Sequence, residues 1–214
     1  MKIISIRQKN KRTTNCIITL ITDNTELIEL NLSMDLIVNE RLSKDMKIDD
    51  VLYEKLISEQ RIIDAKQIAF NYVSYRKRSE KQIISNLKQK GFTDKEINSV
   101  LVFLNENKLL DDEMFAKSFV KDILLTKKIG RNKIFNMLYE KGVNKEIIVN
   151  VLNEYLHKDS LESAVIVAER KYNLMKNKPI EKTKQQLFNH LAAKGFTIDE
   201  TKEAIDIILT KYAN

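Results

Sequence analysis

The stretch Leu138-Tyr139-Glu140-Lys141-Gly142-Val143-Asn144 decides how this chain is read, because it has two counterparts. An earlier copy runs Leu87-Lys88-Gln89-Lys90-Gly91-Phe92-Thr93, and a later one Leu191-Ala192-Ala193-Lys194-Gly195-Phe196-Thr197. The three glycines are 51 and 53 residues apart, in a chain of 214 residues that holds only 4 glycines. Such a recurrence marks one structural unit copied three times over the last two-thirds of the protein.

The unit has a physical meaning. A helix runs up to each lysine, and Gly91, Gly142 and Gly195 are its left-handed C-cap residues, where a side chain costs energy. The Phe or Val that follows packs back on the preceding turn. Thr93, Asn144 and Thr197 then cap the next helix. Glu96 and Glu200 complete capping boxes with the two threonines, while Asn144 caps without a reciprocal Glu.

On either side of these junctions the pattern predicts three helices per repeat. In the first repeat, Asp64 with Gln67 opens a helix to about Tyr75, Ser79 with Gln82 opens a second, and Thr93 a third. In the second, Asp111 or Asp112, Gly130 and Asn144 stand at the three starts. In the third, Ser160, Pro179 and Thr197 do so, with Pro179 in the first turn, where its missing N–H does no harm. Apolar residues recur at helical spacing: Ile83 and Leu87, Ile134 and Leu138, Leu187 and Leu191. These stripes read as core.

Before the repeats, residues 2–8, 15–22 and 25–31 are rich in β-branched side chains and are separated by Lys9-Asn10-Lys11-Arg12 and Asp23-Asn24. They predict a small antiparallel β-meander. Short helices are expected over 33–41 and 49–58. The expected fold is therefore mainly α: a β-rich N-terminal unit (1–60), then three-helix repeats over 61–109, 110–158 and 159–214. A single repeat cannot bury its apolar surface alone, so the copies should stack into an elongated, curved array.

Composition agrees with helices. With 4 glycines and 1 proline, a sandwich or barrel is disfavoured. The single cysteine, Cys16, excludes an internal disulfide and points to a reduced, cytoplasmic setting. No stretch approaches the roughly 20 apolar residues of a membrane span. The net charge is +7 and uneven: residues 61–110 carry 10 basic and 5 acidic groups. This leans toward a polyanionic partner.

No catalytic constellation is visible. Four isolated glycines cannot build a phosphate loop. His157 and His190 lack ligand-spaced partners, and Cys16 sits in an expected strand. Asp111-Asp112-Glu113 lies at a helix start, where capping and the helix dipole account for it. The expectation is a non-enzymatic protein with no cofactor and no metal.

The basic groups carry the functional reading. Arg76-Lys77-Arg78 occupies the loop between the first two helices of repeat one. The same loop of repeat two holds Lys127-Lys128, followed by Arg131 and Lys133. Repeat three offers Lys176, Lys178, Lys182 and Lys184. Equivalent loops in a stacked array fall along one edge, giving a discontinuous basic stripe able to follow a charged backbone.

Three segments together resemble the RecX family of bacterial recombinase regulators. They are Asn71-Tyr72-Val73-Ser74-Tyr75-Arg76-Lys77-Arg78-Ser79-Glu80 with Lys90-Gly91-Phe92; Leu109-Leu110-Asp111-Asp112-Glu113-Met114-Phe115-Ala116-Lys117-Ser118-Phe119-Val120; and Gly130-Arg131-Asn132-Lys133-Ile134 with Lys141-Gly142-Val143. The resemblance covers residues 60–214, and the N-terminal part matches longer members in layout only. Where members carry arginine just after the Phe-Val pair and again two residues later, this chain has Lys121 and Ile123. The resemblance implies a partner, the RecA recombinase with its DNA filament. It implies a monomer lying in the filament groove and lowering strand exchange, ATP hydrolysis and coprotease activity, within recombination, DNA repair and the SOS response. Direct contact with DNA is a second route. The alternative from the residues themselves is a tandem helical nucleic-acid-binding protein that acts without a recombinase.

Overall fold

The computed structural model describes residues 1–9, 15–156, 159–175 and 179–212. Among them are three strands, β1 (Lys2–Gln8), β2 (Asn15–Ile21) and β3 (Leu27–Ser33), and ten helices. These are α1 (Met34–Asn39), α2 (Asp50–Tyr75), α3 (Glu80–Gln89), α4 (Asp94–Glu106), α5 (Asp112–Thr126), α6 (Arg131–Glu140), α7 (Lys145–Tyr155), α8 (Asp159–Asn173), α9 (Ile180–Ala193) and α10 (Ile198–Tyr212). Asn10, Lys11, Arg12, His157, Lys176 and Lys178, singled out above, lie outside the described residues.

The chain divides into two compact units. One comprises Met1–Tyr72 and Ser85–Leu109, the other Val73–Ile84 and Leu110–Asn214. In the first unit the strands form an antiparallel meander in the order β1-β2-β3, with Cys16 facing Gln8 on one side and Leu32 on the other. Alternation puts Cys16, Ile18 and Leu20 on the buried face, where they meet Ile3, Leu32, Leu36, Ile48 and Leu56. Ser33 ends β3 and caps α1, accepting from the Leu36 N–H. Cys16 is 1% exposed, so it serves as a small apolar core residue.

The two helices expected over 49–58 and 64–75 are one helix of 26 residues. Asp64 does not cap. Its carboxylate accepts from the Gln60 side chain one turn earlier, at 2.8 Å. Neither Gly nor Pro stands between Ser58 and Asp64, so nothing breaks the backbone ladder. Gln60 also accepts from the Ser33 N–H at 2.7 Å, which ties α2 to the end of the sheet. Ser160 does not cap either: it lies inside α8, and its buried hydroxyl has no hydrogen-bond partner among the described residues. Most of the other expected caps are present. Thr93 and Glu96 form a reciprocal box, as do Thr197 and Glu200 and Ser79 and Gln82. Asn144 accepts from Glu146 N–H alone. Pro179 stands at the N-cap of α9, one place before the expected first turn.

Gly91, Gly142 and Gly195 all have positive φ, +80°, +86° and +87°. In each case the Phe or Val N–H two residues after the lysine returns to the carbonyl of the leucine three residues before it, closing the Schellman turn. In the second unit α5, α6 and α7 enclose a core that includes Phe115, Val120, Ile134, Leu138, Ile148 and Leu152. A second core, between α8, α9 and α10, holds Ala164, Ala168, Leu187, Leu191, Phe196 and Ile208. The chain is thus mainly helical, with three three-helix repeats after a small sheet.

Candidate partner-binding edge

Arg76, Lys77 and Arg78 follow the end of α2, and Lys127 and Lys128 follow the end of α5, at the same place in successive repeats. A small residue then opens the middle helix, Ser79 in one repeat and Gly130 in the next. That residue is a docking point. The Ser79 hydroxyl donates to the Lys141 carbonyl at 2.7 Å, and the Gly130 N–H donates to the Lys194 carbonyl at 3.0 Å. Lys141 and Lys194 are the C-cap residues of α6 and α9. Carbonyls at a helix end lack intrahelical partners, and here the neighbouring repeat supplies them. Two further bonds repeat the theme: Lys81 Nζ to the Glu140 carbonyl at 3.0 Å, and the Asn132 N–H to the Gly195 carbonyl at 2.9 Å.

The acidic run at the start of α5 is structural. Asp111 caps its own helix through the Met114 N–H at 2.8 Å. Asp112 instead caps the neighbouring α3, accepting from the Glu80 N–H at 3.0 Å. Burial pushes the Asp112 carboxyl above its ordinary value, against the pull of that N–H. Glu113 pairs with Lys117 one turn on, at 3.0 Å. No group of three or more His, Cys, Asp or Glu among the described residues could hold a metal.

Each docking junction leaves a cleft beside it. Arg76, Lys77, Phe119, Asp122 and Lys141 line the first, of about 120 Å³. Lys127, Lys128, Val167, Arg170 and Lys194 line the second, of about 470 Å³. The positions correspond: buried Ala116 and Val120 of α5 answer buried Ala164 and Ala168 of α8, so Phe119 answers Val167 and Asp122 answers Arg170. Lys141 and Lys194 of the Lys-Gly motif therefore act twice. Their carbonyls hold the preceding repeat, and their side chains line the cleft. In the first cleft Lys141 Nζ lies 5.4 Å from the centre of the Phe119 ring, which stacks on Phe115. His190, at the wall of the second cleft, is pushed below its ordinary value by burial and by the nearby Lys171 and Lys194.

The structure distributes the seven candidate cations unequally. Arg76 and Lys77 line the first cleft and Lys127 and Lys128 the second. Arg78 is half-buried, and its counterpart Ile129 is 9% exposed, so the third loop position turns inward in both repeats. Arg131 leans across α6 to the Asn153 side chain of α7, at 2.6 Å. Lys133 lines a different recess, with Asn136, Glu140, Ala193 and Gly195. Lys182 is exposed, and Lys184 stands 3.9 Å from Glu181. At the two positions where the resemblance implies arginine, Lys121 sits over the Tyr155 ring at 5.5 Å and Ile123 is buried.

Sequence reading missed one recurring feature. Tyr75 ends α2 at 87% exposure, Leu125 nearly ends α5 at 86%, and Leu174 follows α8 at 80%. These are the largest exposures among the large apolar residues, and all three fall beside the basic loops. Scattered exposed apolar groups are ordinary, but recurrence at the end of the first helix of each repeat is a pattern. The signal was present as an apolar residue one or two positions before the first basic residue of each loop.

No helix of the described residues is long and apolar enough to cross a membrane. Family profiles described as the first, second and third three-helix domains of RecX match residues 65–104, 111–152 and 158–205. The chain is 34% identical to the regulatory protein RecX of Finegoldia magna over 165 residues, which is 76% of this chain and 80% of that one. It is 35% identical to the regulatory protein RecX of Clostridium perfringens, strain 13, over 167 residues, or 77% and 78% of the two chains. A crystal structure of a regulatory protein RecX superposes with a TM-score of 0.78 at 23% identity, covering 96% of this chain and 98% of that one, and so shares its fold. Three consecutive domain matches at the three glycine-marked repeats, with relatives of this similarity along most of their length, place the chain in the RecX family of regulatory proteins.

Proposed function

We propose that this chain regulates a bacterial RecA recombinase by binding it or its DNA filament, and that the effect is inhibitory. The observation that carries this reading is the cation-lined cleft found at both repeat junctions of the second unit, each beside an exposed apolar residue. A filament presents the same charged surface again and again, and repeated sites on one chain suit such a partner. Each site contributes modestly, and together they set a salt-dependent affinity. The protein acts by occupancy, as a cytoplasmic, non-catalytic monomer without a cofactor. Membership of the RecX family and the absence of any acid–base or nucleophile constellation in the sequence support this.

The test replaces Arg76, Lys77 and Arg78 by Glu and measures recombinase ATP hydrolysis at several salt concentrations. The expected result is partial loss of inhibition by a folded protein, because Lys127, Lys128 and the apolar residues remain. A folded triple variant that inhibits like the wild type at every salt concentration would reduce the basic edge to a solvated face. Equal binding to bare DNA and to the recombinase filament at matched salt would favour a nucleic-acid-binding protein that needs no recombinase.

A further inference from the structure

The two clefts are built alike but differ in chemistry. The first contains a carboxylate, Asp122, and two aromatic rings, Phe115 and Phe119. The second contains no carboxylate and no Phe, Tyr or Trp. Its walls carry Lys127, Lys128, Arg170, Lys171 and Lys194, and no Asp or Glu lines it. Among the described residues none of these five cations forms an ion pair. Burial, and then the charge of Lys171 and Lys194, holds His190 below its ordinary value. The floor is aliphatic, with Ile129 at 9% and Val167 at 7% exposure. Leu174, at 80% exposure, stands at the rim.

We infer that the second cleft is a docking site for an acidic peptide segment of a partner protein that bears an aliphatic anchor residue. The charge requires an anion. The lining then separates two kinds. Single-stranded nucleic acid is held by stacking its bases on broad aromatic side chains, and no Phe, Tyr or Trp lines this cleft, whose one ring is the His190 imidazole. An aliphatic floor under a ring of cations instead suits a leucine-like side chain flanked by carboxylates: the anchor leaves water against Ile129, Val167 and Leu174, and the carboxylates meet the lysines and Arg170. Arg170 is central, because at that position the first cleft has Asp122, which would repel such a segment. This deepens the regulatory reading above and rests on it only in taking the basic edge as a protein-binding face.

The experiment measures fluorescence anisotropy of the full-length protein with three labelled probes of equal charge. One is an acidic peptide of about twelve residues with leucine at every fourth position. The second has those leucines replaced by serine, and the third is an oligothymidylate. The wild type should bind the leucine peptide about tenfold more tightly than the serine peptide. Leu174→Ser should erase most of that difference while leaving the serine peptide unaffected. Arg170→Glu with Lys171→Glu should weaken the leucine peptide by about tenfold or more, whereas Arg76→Glu with Lys77→Glu should change it little. Both altered surfaces are exposed or half-buried, and a circular dichroism melt checks that each variant is folded. Equal affinity for the two peptides, tighter binding of the oligothymidylate, or no binding by the wild type would each overturn the assignment. No recombinase is present, so failure here leaves the ATP-hydrolysis result standing, and loss of that result leaves a positive peptide result standing.

Discussion

Gly130 and Gly195 meet backbone to backbone. A Cβ built on Gly130 would lie 2.4 Å from both the carbonyl carbon and the carbonyl oxygen of Gly195, and 2.3 Å from the Phe196 nitrogen. Gly195 in turn faces the backbone of Lys133, whose nitrogen would lie 2.4 Å from an added Cβ. Two glycines in adjacent repeats therefore fix one junction, and for different reasons. Gly195 has φ +87° and needs both the left-handed backbone and the space, while Gly130 has φ −84° and needs only the space.

This difference ranks the alanine variants. Gly91 has positive φ but nothing within 4 Å of an added Cβ, so Gly91→Ala should cost only the backbone strain, about 1 kcal/mol. Gly130→Ala should cost about 1–3 kcal/mol by forcing two backbones apart, despite its ordinary φ. Gly195→Ala should be the worst of the three. Gly142→Val, with a β-branched side chain at φ +86° against Lys81, should lose about 1–2 kcal/mol or more. Thermal melts give the order, and a Gly130→Ala variant as stable as Gly91→Ala would refute it.

Ser79 and Gly130 hold equivalent positions, and the pair makes a second prediction. Ser79→Ala removes both the bond to the Lys141 carbonyl and the N-cap of α3, at about 1–2 kcal/mol. Ser79→Gly should cost less, because the next repeat already uses glycine at this place and its N–H makes the junction bond. Urea denaturation of the two variants decides between them, and a glycine variant weaker than the alanine variant would count against the equivalence.

In the first unit, Arg61 of α2 grips Glu96 of α4 with two bonds, of 2.5 and 3.2 Å. It also donates to the Gly91 carbonyl at 2.9 Å and lies over the Phe92 ring. The Arg61 guanidinium, helped by the Thr93 N–H and hydroxyl, holds the Glu96 carboxyl well below its ordinary value, at about 2. The folded state thus favours the ionised form more than the unfolded chain does. The stabilisation is complete above the unfolded value of about 4.5 and is lost as pH falls toward about 2. Stability measured by urea denaturation should decline across that window, and Arg61→Met should flatten this decline while lowering stability at neutral pH. An unchanged acid limb in the variant would show that other carboxylates govern it.

The separation of Lys133 from the clefts gives a fourth prediction. Lys128→Glu should weaken inhibition of recombinase ATP hydrolysis more than Lys133→Glu does, because Lys128 lines the second cleft and Lys133 a different recess. The change should be partial for Lys128, and it should shrink as salt rises. Equal losses at the two positions would mean that net charge matters and the cleft does not.

Much of the fold was legible because its signals are local. A C-cap glycine, the N-cap that follows it and a stripe at helical spacing all involve residues within about one or two turns of each other. Gly91, Gly142 and Gly195 have the expected φ, and Ser79, Thr93 and Thr197 have the expected boxes. The continuous α2 was misread for a related reason. Asp64 carries a cap-like signal, but Gln60 one turn earlier takes its carboxylate, and a cap can only be distinguished from such a pair by where the side chain points.

The candidate site was legible in its parts. The sequence named the loops with Arg76, Lys77, Lys127 and Lys128, since charge and repeat position are both one-dimensional. It could not sort Arg78, which turns inward, or Lys133, which faces another recess. Nor could it join Lys128 to Arg170 and Lys194, which line one cleft from three separate helix ends.

By itself, then, the sequence determined the repeat, its helices and their caps, because backbone preferences act over a few residues. The tertiary structure alone decided that Gly130 must be glycine at an ordinary φ, that Asp112 caps a helix other than its own, and that Arg170 completes a cleft begun at Lys127. Each of these depends on residues 30 to 65 positions away that docking brings into contact, and no local periodicity encodes which surfaces will meet.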